Sequence, residues 1–108
     1  ESGYKEHNLR YIGHFSHWFH WGVMLYSRFI IEQPPQDAAE ALQLPNRIWN
    51  SALTAVIDKS GMINEHHGVG PKLARFMRRQ YGEAWPFLER LKKTIDPNGI
   101  MNPGKTGF

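Results

Sequence analysis

The stretch Val23-Met24-Leu25-Tyr26-Ser27-Arg28-Phe29-Ile30-Ile31 is rich in β-branched and aromatic residues and is bounded by Gly22 on one side and Pro34-Pro35 on the other. It reads as a strand. The two-residue period places Val23, Leu25, Ser27, Phe29 and Ile31 on one face and Met24, Tyr26, Arg28 and Ile30 on the other. Both faces are largely apolar, so both are expected to be covered. Tyr26 and Arg28 share a face, and an unpartnered charge there would be costly. A satisfied core tyrosine beside a snorkelling arginine is one way to meet that need.

Outward from this strand, Tyr11-Ile12-Gly13-His14-Phe15-Ser16 alternates weakly and reads as a second strand after a polar lead-in. The aromatic-rich His17-Trp18-Phe19-His20-Trp21-Gly22 reads as the hairpin connection. On the other side, Asp37 suits the cap of a short helical piece over 38–44, which Pro45 is expected to interrupt. From Asn46, the residues Ile48, Trp49, Ala52, Leu53, Val56 and Ile57 form one apolar stripe of a helix ending at Lys59-Ser60-Gly61.

Gly61-Met62-Ile63-Asn64-Glu65-His66-His67-Gly68-Val69-Gly70-Pro71 follows. A short apolar step, read as a third strand, runs into a carboxylate, two imidazoles and a glycine-paced loop. Glutamate can accept a proton or grip a cation, and histidine titrates near neutral pH. Gly68 and Gly70 permit a close backbone approach to a bound group, while Pro71 fits the first turn of a helix whose free N–H groups favour an anion. A strand-to-helix turn with solvated polar residues fits the same letters. Beyond it, the spacing predicts a helix over 71–81 with Leu73, Phe76, Met77 and Tyr81 inward, and another over 84–95 with Phe87, Leu88, Leu91 and Ile95 inward. Asp96-Pro97-Asn98-Gly99 marks a turn. The Gly/Pro-rich tail carries Ile100, Met101 and Phe108 as docking anchors. The order of elements predicts an α+β fold, with helices packed on one face of an antiparallel sheet.

The 108 residues make one domain with a net charge of +3, from 13 Lys plus Arg against 10 Asp plus Glu. No nucleic-acid motif accompanies this mild excess. Without cysteine there is neither a disulfide nor a thiolate metal site. No apolar run is long enough to span a bilayer, and no signal segment is visible. This leads to the expectation of a cytoplasmic protein. The chain opens on Glu1-Ser2-Gly3-Tyr4 rather than Met and reads as cut within a longer chain.

The run Gly61 to Gly70, the two helical patterns after it and Asp96-Pro97-Asn98-Gly99-Ile100-Met101-Asn102-Pro103-Gly104-Lys105 together resemble the C-terminal portion of FAD-linked oxidases of the vanillyl-alcohol-oxidase type. That group includes D-lactate and glycolate dehydrogenases, aromatic alcohol oxidases and alkyl-dihydroxyacetone-phosphate synthases. The resemblance covers nearly all of the chain from residue 11. It implies a ferredoxin-like cap-domain fragment over residues 1–95 and, over 96–108, a segment that returns to an N-terminal FAD-binding domain. It also implies FAD as cofactor, a small-molecule substrate, and exposed cap surface suited to self-association.

The resemblance assigns acid/base and substrate-binding roles to Glu65, His66 and His67, and a reacting tyrosine to Tyr26. Arg28 becomes the ligand for a substrate carboxylate or phosphate, and Asn102 and Lys105 approach the flavin. The hydroxy-acid dehydrogenase branch also holds a metal through a Gly-His-x-Gly-Asp-Gly-Asn-x-His segment. Here Gly13-His14 is followed by Phe15-Ser16-His17-Trp18, so that loop is absent, although His14, His17, His20 and Glu65 retain suitable ligand types. The leading function is hydride transfer from a hydroxy acid or alcohol to flavin. The alternatives are a synthase-type flavoenzyme without net oxidation, a non-catalytic interaction module and a histidine-rich metal-binding protein.

Overall fold

The computed structural model describes residues 7–64 and 66–108, so Glu65 and the first six residues lie outside the described residues. The chain divides into two units, Glu1–Leu53 and Thr54–Phe108. It is an α+β chain with one two-stranded antiparallel sheet among the described residues.

The first unit is built on a hairpin of β1 (Leu9–Phe19) and β2 (Gly22–Ile31), paired from Leu9↔Ile31 to Phe19↔Gly22. β1 therefore runs three residues beyond the predicted strand. His17, Trp18 and Phe19 belong to the ladder, and only His20 and Trp21 form the turn. The reason is a bulge: Ser16 pairs with Met24 and Trp18 with Val23, so His17 is an extra residue, at φ +46°. Stacking of Phe19 on Trp21, with centroids 4.6 Å apart, tightens the tip.

The register assigns the two faces. Tyr11, Phe15, Leu25 and Phe29 lie on one, joined by a Tyr11–Phe29 ring contact at 5.3 Å and a Tyr11–Ser27 hydroxyl hydrogen bond at 3.1 Å. Arg10, Ile12, His14, Ser16, Met24, Tyr26, Arg28 and Ile30 lie on the other, where Arg10 pairs with Glu32 at 3.0 Å. The expected cover is not there: Tyr11, Phe15 and Leu25 are exposed on the apolar face, as are Ile12 and Tyr26 on the mixed one. Among the described residues the hairpin has no flanking strand to bury its faces against, and its apolar side chains stay exposed.

Asp37 caps the next element as expected, its Oδ1 accepting from the Glu40 N–H at 2.8 Å. Pro45 does not end it. α1 (Ala38–Asp58) is continuous through the proline, and Asn46 Nδ2 donates to the Leu42 carbonyl at 3.2 Å within the disturbed turn. Leu44, Ile48 and Leu53 are its buried residues, so the stripe begins one turn before the predicted helix.

In the second unit, α1 stops at a left-handed residue that is Ser60 (φ +59°), with the Gly61 N–H closing back on the Val56 carbonyl at 2.9 Å. Gly61 is needed for space instead: a Cβ there would sit 2.8 Å from Val56 Cγ1. Met62-Ile63 forms no strand. The Ile63 N–H is taken at 3.1 Å by the Gln80 side-chain carbonyl, which stands in for a ladder partner. The helix predicted over 71–81 is broken into α2 (Gly70–Ala74) and α3 (Met77–Tyr81). Between them the Phe76 N–H bonds the Leu73 carbonyl only three residues back, at 2.8 Å. Arg79 pairs with Asp58 at the end of α1.

α4 (Trp85–Ile95) presents an unexpected face inward. Phe87, Leu91 and Ile95 are exposed, as is Tyr81 on α3, while Leu73, Met77 and Trp85 make the core of this unit. Trp85, Leu88, Lys92 and Asp96 follow one another at helical spacing. The polar pair is tolerated inward because it is satisfied: Lys92 Nζ donates to Asp96 and, at 2.6 Å, to the Met101 carbonyl. The Ile100 and Met101 N–H groups in turn donate to Asp96 at 3.0 and 2.9 Å. This clip folds the tail back, and Phe108 ends stacked on Trp85 with centroids 4.6 Å apart.

Hydrogen bonding from Lys92, and then from the Met101 and Ile100 N–H groups, holds the Asp96 carboxyl below its ordinary value of 3.8 against the opposing effect of burial. A depressed folded-state pKa means that this stabilisation is complete above the unfolded-state pKa and is lost as pH falls through the lower folded value. Melting temperature measured against pH is therefore expected to fall on the acid side in the parent. In Asp96→Asn it is expected to be lower at neutral pH, with a flatter acid limb.

Candidate active site

The chemistry-bearing residues sit on three pieces of backbone. On the hairpin, Tyr26 lies directly across from His14, and Arg28 across from Ile12, on the same face. Tyr26 is 42% exposed, and Arg28 is exposed with no ion pair among the described residues. The planar fork of a guanidinium matches carboxylate and phosphate groups, which makes exposed Arg28 a candidate for binding either.

In the second unit, His66 and His67 are exposed neighbours whose rings meet edge to face at 4.2 Å. The loop that carries them turns through left-handed Gly68 (φ +75°) and Gly70 (φ +57°), conformations that a side chain would strain. α2 follows with Pro71 in its first turn as expected, but it is only five residues long, so its dipole is small. Glu65, given an acid/base role on sequence grounds, lies outside the described residues.

The terminal turn holds the third set. Asn102 adopts φ +49° and its carbonyl accepts from the Lys105 N–H at 3.1 Å, leaving both side chains exposed as donors. An open groove of about 290 Å3 runs beside them, with Leu91, Ile95, Met101, Asn102 and Phe108 in its wall. None of Tyr26, Arg28, His66 and His67 lines it. Among the described residues no three His, Cys, Asp or Glu side chains are grouped to hold a metal. Nor is any described helix long and apolar enough to cross a membrane. Sequence reasoning missed the Lys92–Asp96 clip, whose signal was a lysine one helical turn before an Asp-Pro-Asn-Gly turn.

The family profile described as FAD linked oxidases, C-terminal domain, matches residues 4–106. The chain belongs to that family. Its members are FAD-dependent oxidases and dehydrogenases, and FAD is the family's cofactor. The FAD-linked relatives include the uncharacterized FAD-linked oxidoreductase YgcU of Escherichia coli K12, 33% identical over 96 residues, 85% of this chain and 19% of that protein. The alkyldihydroxyacetonephosphate synthase of Trypanosoma brucei brucei is 33% identical over 94 residues, covering 85% of this chain and 15% of the synthase. The mitochondrial D-lactate dehydrogenase [cytochrome] of Arabidopsis thaliana is 40% identical over 71 residues, 65% of this chain and 12% of the dehydrogenase. The chain thus spans less than a fifth of the length of each of these relatives. No solved structure matches it significantly.

Proposed function

We propose that the chain is the substrate-facing part of an FAD-dependent oxidoreductase that oxidises a small hydroxy acid or alcohol, working with an FAD-binding domain supplied by the rest of the enzyme. The observation that carries the reading is the Tyr26–Arg28 face of β2: a phenol and an exposed guanidinium, without an ion pair among the described residues, two positions apart on a strand. An anionic substrate group on Arg28 places its hydroxyl-bearing carbon near a proton-handling side chain. The relatives named for D-lactate and for alkyldihydroxyacetonephosphate both point to such anionic small molecules.

The donors present fit a flavin at the edge, not the whole of the cofactor. The exposed Asn102 amide and Lys105 ammonium are suited to the carbonyl-bearing rim of an isoalloxazine. A two-stranded antiparallel sheet offers no dinucleotide cradle among the described residues. The chemistry that FAD supplies when bound is acceptance of the hydride from the substrate carbon. On the second unit, His66 or His67 is the group suited to accept the hydroxyl proton at a ring nitrogen; on the hairpin, Arg28 is suited to fix the acid group and Tyr26 to hydrogen-bond the substrate. The carbinol carbon loses a hydride, its oxygen loses a proton, and a carbonyl product results.

The test is anaerobic bleaching of the visible flavin band of the full-length enzyme by 2-hydroxy acids and aromatic alcohols. Bleaching by a hydroxy acid is expected, and Arg28→Ala should raise its KM by about tenfold to a hundredfold, the loss of one charge-assisted pair. Turnover of acyl-dihydroxyacetone phosphate without bleaching would instead establish the synthase-type reading, which the adjacent His66 and His67 favour. No turnover of either class would leave a non-catalytic module.

A further inference from the structure

Asp96 is buried, 6% exposed, where α4 gives way to the tail. Its Oδ1 accepts from the Ile100 N–H and its Oδ2 from the Met101 N–H, while Lys92 Nζ bridges Oδ2 and the Met101 carbonyl oxygen. Both backbone polar groups of Met101 are thus fixed at the end of α4. The Met101 carbonyl belongs to the peptide plane that leads into Asn102, so the Lys92 bond sets that plane. Asn102 follows, left-handed at φ +49°, and its carbonyl closes the turn to Lys105. Beyond the turn the chain is anchored again, by Phe108 stacked on Trp85. The exposed side chains of Asn102 and Lys105 therefore take their place from a clip to which neither belongs. Anchoring a tail does not require such a clip, since a buried ion pair gains little net stability over an apolar contact. What it adds is direction.

We propose that Lys92 and Asp96 are positioning residues for the flavin edge: they hold the terminal turn so that the Asn102 amide and the Lys105 ammonium are presented together to the carbonyl-bearing rim of the isoalloxazine. The inference rests on the reading that Asn102 and Lys105 meet the flavin. Lys92 and Asp96 touch no part of the cofactor and act through the backbone of residues 100–102. Reduced flavin carries more negative charge on that rim than oxidised flavin, so well-placed donors favour the reduced form and raise the midpoint potential.

The experiment is a redox titration of the visible band of FAD bound to the full-length enzyme, with melting temperature measured alongside. Asp96→Asn is expected to lower the preference for reduced over oxidised flavin about tenfold, a fall of about 30 mV for a two-electron couple. Loss of a nearby negative charge would by itself raise the potential, so a fall is read as misplaced donors. The charge-neutral pair Lys92→Met/Asp96→Asn, which leaves no unpaired buried ion, should fall by the same amount. In an Asn102→Ala/Lys105→Ala background, Asp96→Asn should cost less than about twofold more. Met77→Ala is the stability control: it truncates the core of the same unit and should lower the melting temperature without moving the potential. An unchanged or raised potential in Asp96→Asn, an equal fall in Met77→Ala, or independent, multiplying losses would overturn the inference while leaving Asn102 and Lys105 at the flavin. If Asn102→Ala/Lys105→Ala itself leaves the potential unchanged, the parent reading falls and this inference falls with it.

Discussion

Replacing His67 with alanine in the flavin-loaded enzyme is expected to lower kcat by about a hundredfold to ten-thousandfold, the range that a positioned general base contributes. The same change is expected to move stability by no more than about 0.5 kcal/mol, because the ring is exposed and fills no core. His66→Ala is the companion experiment. The two rings lie 4.2 Å apart, so both cannot meet one substrate hydroxyl in the same way, and the larger loss identifies the base. Comparable losses of rate and of melting temperature in either variant would show that the pair holds the loop rather than the proton. The flanking glycines give an internal control: Gly68→Ala strains a left-handed position and should harm the site by misplacing both histidines.

Trp85→Ala is expected to cost about 3–5 kcal/mol of stability, the usual result of truncating a buried aromatic residue. Trp85 is 4% exposed, begins α4 and carries the stacked Phe108 ring, so its loss opens a cavity and frees the tail at once. Denaturant unfolding followed by circular dichroism measures the cost. Trp85→Phe should be far milder. The indole Nε1 is buried without a hydrogen-bond partner among the described residues, so removing that unsatisfied donor offsets part of the lost contact area. Severe destabilisation by both substitutions would mean that the N–H has a partner after all. Gly107→Ala approaches the same contact from the other side, since its Cβ would fall 2.7 Å from the Ala74 carbonyl oxygen at φ +97°.

What the sequence made legible follows the range of the forces involved. β2 and the faces of Tyr26 and Arg28 were readable because strand periodicity is local. The end of β1 was not, since aromatic crowding over 17–19 resembles a connection and only the pairing register reveals the bulge at His17. The cap at Asp37 was readable, whereas the passage of α1 through Pro45 was not, because burial of Leu44 and Ile48 on either side outweighs one lost hydrogen bond. On α4, hydropathy assigned Phe87, Leu91 and Ile95 to the interior. The inward side was set by Trp85 and by an ion pair that draws in the tail's backbone, information residing in residues 100–108 rather than in the helix. The candidate site divides similarly. The residue types came from motifs, but the His14–Tyr26 juxtaposition exists only in the register.

The bulge at His17 also governs how this hairpin can be compared across its relatives. Because Trp18 pairs with Val23, the aromatic tip is shifted by one step relative to the ladder that holds His14 and Tyr26. Deleting His17 would remove the bulge and leave Trp18 across from Val23 in an unbroken ladder, still on the face of Leu25 and Phe29 and not on that of Tyr26. A relative lacking that residue must therefore be aligned with a gap at this position. An ungapped alignment would match residues of the Tyr11–Phe29 face with residues of the Tyr26–Arg28 face throughout one arm.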